Sequence, residues 1–264
     1  VLEFTKKINK TCSGKNAYQE EKRKLTEEEQ ELVYFWDDFA EEYEEIQQES
    51  PFPIAQELGK FLVQEKILPC QTLLDIAGGS GRYLAVFQEQ VKKYTLADIS
   101  PKMLELARKK QKSEHVDFLS ISQEALLKSN QKFQVVFSAM NPALDRPEKI
   151  KELCQLSQKW CLILRLVKDE DSLFSPYDQE VNPELKWMAD YKNFLQKEKQ
   201  EFFVQQFTFE KTEMISKDFY RAYFEEECSK RDLEHRINVH FEGQEVCKNY
   251  HKVVYELISI PCDK

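Results

Sequence analysis

Glycine is scarce in this chain, six in 264 residues, so left-handed turns and close backbone approaches are confined to a few places. No apolar run nears the roughly 20 residues that a membrane-spanning helix needs; the run Cys161-Leu162-Ile163-Leu164 stops at Arg165. The N-terminal residues carry no signal-peptide core. Dense basic runs are missing too, and the net charge is −9. That balance disfavours nucleic acid as a partner, because phosphate binding rests on Lys and Arg contacts. The cysteines Cys12, Cys70, Cys154, Cys161, Cys228, Cys247 and Cys262 are odd in number and form no C-x-x-C pair, which points to reduced thiols rather than a disulfide framework. The four histidines, His115, His235, His240 and His251, offer no convincing zinc spacing, so no metal is implied. These absences lead us to expect a soluble, cytoplasmic protein that uses no membrane.

What is present begins with the glycines themselves. Three of the six stand within four positions, in Leu73-Leu74-Asp75-Ile76-Ala77-Gly78-Gly79-Ser80-Gly81-Arg82-Tyr83. The pattern is an apolar strand, an acid near its tip, a glycine-dense turn and then a helix, which gathers backbone N–H groups at one point and admits a ligand close to main chain. The dinucleotide spacing G-x-G-x-x-G fails, since Gly79 and Gly81 would need glycine where Leu84 stands. A second unit follows at the distance a Rossmann-like sheet demands: Tyr94-Thr95-Leu96-Ala97-Asp98-Ile99-Ser100-Pro101-Lys102-Met103-Leu104. Asp98 closes a strand about twenty residues after the glycine turn, where an acid can accept ribose hydroxyls. Ser100 suits a helix N-cap and Pro101 its first turn.

Together these two stretches resemble the class I S-adenosylmethionine (SAM) dependent methyltransferases, the first of them motif I and the second a string frequent in that family. Motif I is usually D/E-x-G-x-G-x-G; Asp75, Gly79 and Gly81 are in register, Ala77 replaces the first glycine, and Gly78 stands beside it. The resemblance implies a Rossmann-like, doubly wound, mostly parallel α/β sheet, an antiparallel C-terminal hairpin and a helical N-terminal cover. It also implies SAM as cofactor, with S-adenosylhomocysteine (SAH) as product. Residue by residue, Asp75 would orient the methionyl amino group, while Ala77, Gly78, Gly79 and Gly81 pass beneath the cofactor. Asp98 would take the ribose hydroxyls, and Ile99 would pack on adenine with Met103 near. Ser122 stands where the family often has an adenine-reading acid, with Gln123 beside it. Ala139 ends the fourth strand, where the methionyl end is reached. The string Trp36-Asp37-Asp38-Phe39-Ala40-Glu41-Glu42-Tyr43 is similar to a W-x-x-x-A-x-x-Y segment that folds over the cofactor in many small-molecule methyltransferases, which makes Tyr43 a cofactor contact. Tyr43 and Asn141 are the weak catalytic candidates, and Asn141 reads equally well as an Asn-Pro turn initiator. Arg82 either meets a carboxylate of cofactor or substrate or is a solvated residue at a helix start.

The coarse pattern along the chain agrees with one such domain. Residues 1–25 are polar and non-periodic, an expected flexible arm. Residues 26–167 are the expected SAM-binding core with its cover helices, and 168–264 the expected acceptor-pocket insertion plus the last strands of the same domain. Thr26 and Glu29 have capping-box spacing, and Leu32, Trp36, Phe39, Tyr43 and Ile46 then recur at helical steps; Leu32, Phe39 and Ile46 are expected to pack in the core. Strands are expected at 72–75, 94–98, 116–119, 133–139, 160–167, around 203–210 and at 252–260, and helices from Pro183 and after Ser216. The phenylalanines Phe202, Phe203, Phe207 and Phe209 are expected in the sheet core, and His235, His240 and His251 at surface or packing positions. The activity expected is methyl transfer to a small molecule, mainly through proximity and orientation. The alternatives are a protein or RNA methyltransferase and a SAM-binding module that has lost turnover. Acceptor atom and oligomeric state stay open.

Overall fold

The computed structural model describes residues 25–177 and 182–262; the expected arm, apart from Leu25, lies outside them. Seven strands form one sheet: β1 (Cys70–Ile76), β2 (Val91–Asp98), β3 (Val116–Ser120), β4 (Phe133–Ala139), β5 (Ser157–Asp171), β6 (Phe203–Ser216) and β7 (Val246–Pro261). Their order is β3-β2-β1-β4-β5-β7-β6. The first five pair in parallel, and β7 runs antiparallel to both β5 and β6. The order reverses at β1, between β2 and β4, and in open sheets ligands bind outside the strand ends at such a switch point.

The helices are α1 (Glu27–Glu49), α2 (Ile54–Gln64), α3 (Leu84–Phe87), α4 (Pro101–Lys109), α5 (Gln123–Leu127), α6 (Lys149–Leu156), α7 (Trp187–Lys197), α8 (Lys217–Phe224) and α9 (Lys230–Phe241). Local chemistry starts several of them. Thr26 and Glu29 close a reciprocal capping box before α1, Ser100 caps α4 with Pro101 in its first turn, and Ser216 caps α8. The central strands are buried on both faces, as a parallel sheet covered by helices requires. One apolar layer joins α2 and α3 to Leu73, Leu96 and Phe137, and another joins α6 and α7 to Leu74, Val136 and Ile163. A third cluster, Leu173, Tyr220, Phe224, Leu233, Ile237 and Phe241, stands apart under α8 and α9.

Three expectations change. The helix after the glycine turn is one turn long and passes into a 3-10 turn, Gln88–Gln90. On α1, Leu32 and Ile46 are each 49% exposed, while the buried positions are Glu29, Ala40 and Glu44. The helical period was legible, but the inward face is polar, because α1 meets the ends of loops and helices rather than an apolar sheet face. Phe203 is likewise 53% exposed on the edge strand, whereas Phe207, Phe209 and Phe202 pack against the two main layers.

Candidate active site

The site is built from the end of β1 outward. Asp75 sits at the edge of β1, 1% exposed, and its Oδ2 accepts from the Tyr94 hydroxyl at 2.7 Å. Beyond it the chain turns left-handed three times within five residues: Ala77 has φ +54°, Gly79 +54° and Gly81 +80°. Ala77 adopts a conformation that costs an L-residue roughly 1–2 kcal/mol, so the turn keeps the shape expected of a glycine at this position. Gly78 is required for space: a Cβ there would lie 2.7 Å from Leu96 Cγ and 3.0 Å from Asp75 Cγ. Gly81 serves packing instead, since a Cβ would stand 3.0 Å from that of Ala107 on α4.

Asp98, at the tip of β2, fastens this turn. Its Oδ2 accepts from Gly79 N at 2.8 Å and its Oδ1 from Ser100 N at 2.9 Å. Burial raises the Asp98 pKa; the backbone N–H groups of Ser100, Gly79 and Ile99 oppose that shift, and the nearby Asp37 charge adds to it. Asp75 is pushed up to about 7, by burial first and then by repulsion from Asp98, against the lowering effect of Tyr94. Two poised carboxylates thus flank a glycine turn, an arrangement suited to a cation and to hydroxyl donors.

Helix α1 lies over these groups, held by its acids. Asp37 Oδ1 accepts from Ser100 Oγ at 2.5 Å and from Lys102 N at 3.1 Å. Glu44 pairs with Lys110 at 2.7 Å, and Glu29 accepts from Ser122 Oγ at 2.7 Å. Burial would raise Glu44, but Lys110, Ser80 and Gln48 outweigh it and its pKa falls. Tyr43 then projects onto the turn, its Cε1 3.7 Å from where a Gly79 Cβ would be, with Met103 Sδ at 4.0 Å from the same point. Trp36 and Phe39 support it edge-on, with centroids 6.4 Å and 6.0 Å from its ring.

A pocket opens here, lined by Tyr43, Gln47, Asp75, Ala77, Gly78, Ser80, Arg82, Tyr83, Ala139 and Met140. Tyr43, Asp75, Ala77, Gly78, Arg82 and Ala139 were named from sequence. Gln47, Ser80, Tyr83 and Met140 were not; Gln47 follows Tyr43 at the helical step of four, a signal that could have found it. Met140 is left-handed, φ +52°, with its sulfur 3.1 Å from Leu166 N. Arg82 reaches Phe52 O and Ser50 Oγ at 3.4 and 3.5 Å, and no carboxylate pairs with it among the described residues. Gln47 Oε1 and Tyr83 Oη are buried with no hydrogen-bond partner.

Other named residues stand nearby with their polar atoms engaged. Asn141 donates to Gln123 Oε1 and Ser138 Oγ and accepts from Ala143 N, so its side chain organises the loop after β4. Ser122 caps α5 besides bonding Glu29, and Gln123 also donates to Ala143 O. Ile99 is half-buried and follows Asp98 directly. Of the histidines, His240 meets the Tyr177 hydroxyl at 2.7 Å and His251 meets Asp169 at 2.6 Å, while His235 is exposed.

The fold and turn now have counterparts. Residues 73–159, from β1 into β5, match the family model described as a methyltransferase domain. Over this third of the chain the sequence is similar to a methyltransferase domain. Among solved structures, a putative type II methyltransferase from Anaeromyxobacter dehalogenans is 11% identical with TM-score 0.51, covering 79% of this chain and 96% of its own. Magnesium protoporphyrin IX methyltransferase from Synechocystis PCC 6803, with bound SAH, is 13% identical with TM-score 0.50, covering 88% and 99%. These likenesses concern the fold. No curated protein matches the sequence. SAM is the cofactor that the resemblance of the glycine turn and the Asp98 stretch implies. The residues fit it: the glycine floor leaves no room for Cβ atoms at position 78, Asp75 faces the pocket, and the unpartnered polar atoms of Gln47 and Tyr83 share that lining with Arg82. No helix among the described residues is long and apolar enough to cross a membrane.

Proposed function

We propose that the chain methylates a small molecule, and that residues 168–264 shape the acceptor side of the same domain. The observation that carries this reading is the pocket at Ala77 and Gly78, roofed by α1 through Tyr43 and Gln47. A site covered by its own N-terminal helix suits a small acceptor better than a protein or RNA surface, and the charge of −9 disfavours RNA further.

SAM supplies a methyl group already activated on a sulfonium. Asp75 would hold the methionyl ammonium by charge, and Arg82, with the Tyr83 hydroxyl, would hold the methionyl carboxylate. Asp98 would receive the ribose hydroxyls, exchanging part of its hold on Gly79 and Ser100. Ile99 and Met103 would pack the adenine side, with Ser122 and Gln123 bordering it. Tyr43 would present an aromatic ring to the cation, an attraction of about 0.5–2 kcal/mol, and with α1 would exclude water. Ala139 and Met140 line the pocket after β4 and would border the acceptor. Orientation supplies most of the acceleration in this scheme.

The test is calorimetric titration of the purified protein with SAM and SAH, followed by turnover assays on small-molecule, protein and RNA acceptors. Micromolar SAH binding and transfer to a small molecule are the expected results. Transfer confined to protein or RNA overturns the acceptor class, and binding without any transfer identifies a module that has lost turnover. Asp98→Ala is expected to weaken SAH binding about 10- to 100-fold, and also to lower the melting temperature, because Gly79 N and Ser100 N lose their acceptor.

A further inference from the structure

Tyr94 is a fully buried tyrosine on β2 whose hydroxyl has one partner, Asp75 Oδ2. It sits in the layer behind the glycine turn, where phenylalanine would pack equally well, so its hydroxyl needs a reason. The register places it there: Tyr94 is opposite Leu73 on the neighbouring β1, and its ring reaches forward to the acid two residues on. Asp75 is confined from the other side as well. Its Cγ and Oδ2 lie 3.0 and 3.1 Å from where a Gly78 Cβ would be, so the turn backbone rests on the carboxylate. With Oδ2 held by Tyr94, Oδ1 is the oxygen left without a hydrogen-bond partner among the described residues, and Asp75 lines the pocket.

We propose that Tyr94 is a positioning residue for cofactor binding: its hydroxyl fixes the Asp75 carboxylate in one orientation and favours its ionised form, ready for the methionyl ammonium. This rests on the assignment of Asp75 to that ammonium. The groups facing Asp75 are Tyr94 and Asp98 from β2 and Tyr83 from the turn after β1. Burial and the Asp98 charge favour the protonated acid, and Tyr94 opposes them. Ammonium binding selects the carboxylate. SAH affinity therefore falls as pH drops below about 7, approaching tenfold per pH unit, and binding near pH 7 releases a proton from Asp75. Losing the Tyr94 donor moves that fall to higher pH.

The experiment is calorimetry of SAH binding from pH 5.5 to 9 in buffers of different ionisation enthalpy, with wild type, Tyr94→Phe and Asp75→Asn. 5′-Methylthioadenosine, which lacks the amino-acid end, serves as the comparison ligand. Wild type is expected to release a proton with SAH and not with 5′-methylthioadenosine. Tyr94→Phe should shift the acid limb upward by about one pH unit while leaving 5′-methylthioadenosine affinity within twofold. Asp75→Asn should abolish the limb. An unshifted limb in a folded Tyr94→Phe protein overturns the role of Tyr94 and leaves Asp75 in place. A wild type that binds SAH without proton release overturns both, and absence of SAH binding overturns the underlying assignment. If Tyr94→Phe does not fold, the wild-type proton release alone decides: its absence sinks the proposal.

Discussion

Between residues 75 and 81 the partners are close in sequence: an acid, a left-handed alanine and three glycines turn the chain beneath the pocket, and Asp98, Tyr94 and the Ala97 carbonyl reach in from the next strand. The ribbon of β5, β7 and β6 works the other way. There Asp169 meets His251, Lys192 meets Glu256, and Arg165 meets Glu184 across the fold. The first region carries its chemistry in consecutive residues, because a turn is decided by local backbone angles. The second assembles its contacts through strand pairing and through the packing of residues 183–197 on the strands, so no short string announces them. The contrast extends to burial. Asp75 is a buried carboxylate that still lines a pocket, whereas Arg165, also 1% exposed, is tied internally to Asn141 O at 2.9 Å and to Glu184, and lies over Trp187.

Substituting the two buried charges sharpens this difference most. Folded Asp75 titrates near 7 against an ordinary 3.8, so between those values the folded chain keeps a proton that the unfolded chain releases. Its contribution to stability is therefore most favourable below about pH 4 and is lost as pH rises to 7. Asp75→Asn is expected to stabilise the fold at pH 8 by up to roughly 4 kcal/mol, with no gain at pH 4, while weakening SAH binding. Denaturant melts at both pH values measure it, and a mutant less stable at pH 8 would mean that this acid serves the fold rather than the ligand. Arg165→Met should act oppositely, costing about 2 kcal/mol. Glu184 is partly exposed and can turn to water, and Asn141 O keeps the Leu144 N–H. A gain in stability there would show that the guanidinium is not a structural tie.

Smaller effects probe the turn and its roof. Ala77→Gly removes left-handed strain but adds unfolded-state freedom, so thermal melts should show a change between zero and about 1 kcal/mol in favour of the mutant. A loss would mean that the alanine methyl contributes packing beyond its strain. Leu32→Ser on the solvent side of α1 should change stability by less than about 0.5 kcal/mol. A larger cost in chemical denaturation would indicate that this face is covered in solution.

The motif stretch was legible because its geometry is local. Asp75, Gly78, Gly79 and Asp98 were named from spacing and family resemblance, Tyr43 from the resemblance of its W-x-x-x-A-x-x-Y segment, and Arg82 from its place at the helix start; Tyr43 and Arg82 do line the pocket with Asp75 and Gly78. Asn141 was named as well, but hydrogen bonds to Gln123, Ser138 and Ala143 absorb its side chain. The inward face of α1 was misread, since periodicity marks a stripe of apolar residues without saying what the stripe meets. Tyr83 and Met140 escaped notice because a buried tyrosine and a methionine after a strand look like ordinary core.

By itself, then, the sequence determined the alternation of strands and helices, the left-handed glycine turn and the acid that closes β2, all consequences of backbone preference and patterning within a few residues. Tertiary structure alone decided that Tyr94 clamps Asp75, that the acids of α1 hold it across the pocket, and that Arg165 is spent inside the fold. Those depend on which strands lie side by side and how deeply a charge is withdrawn from water, and both are set only when the whole sheet has assembled.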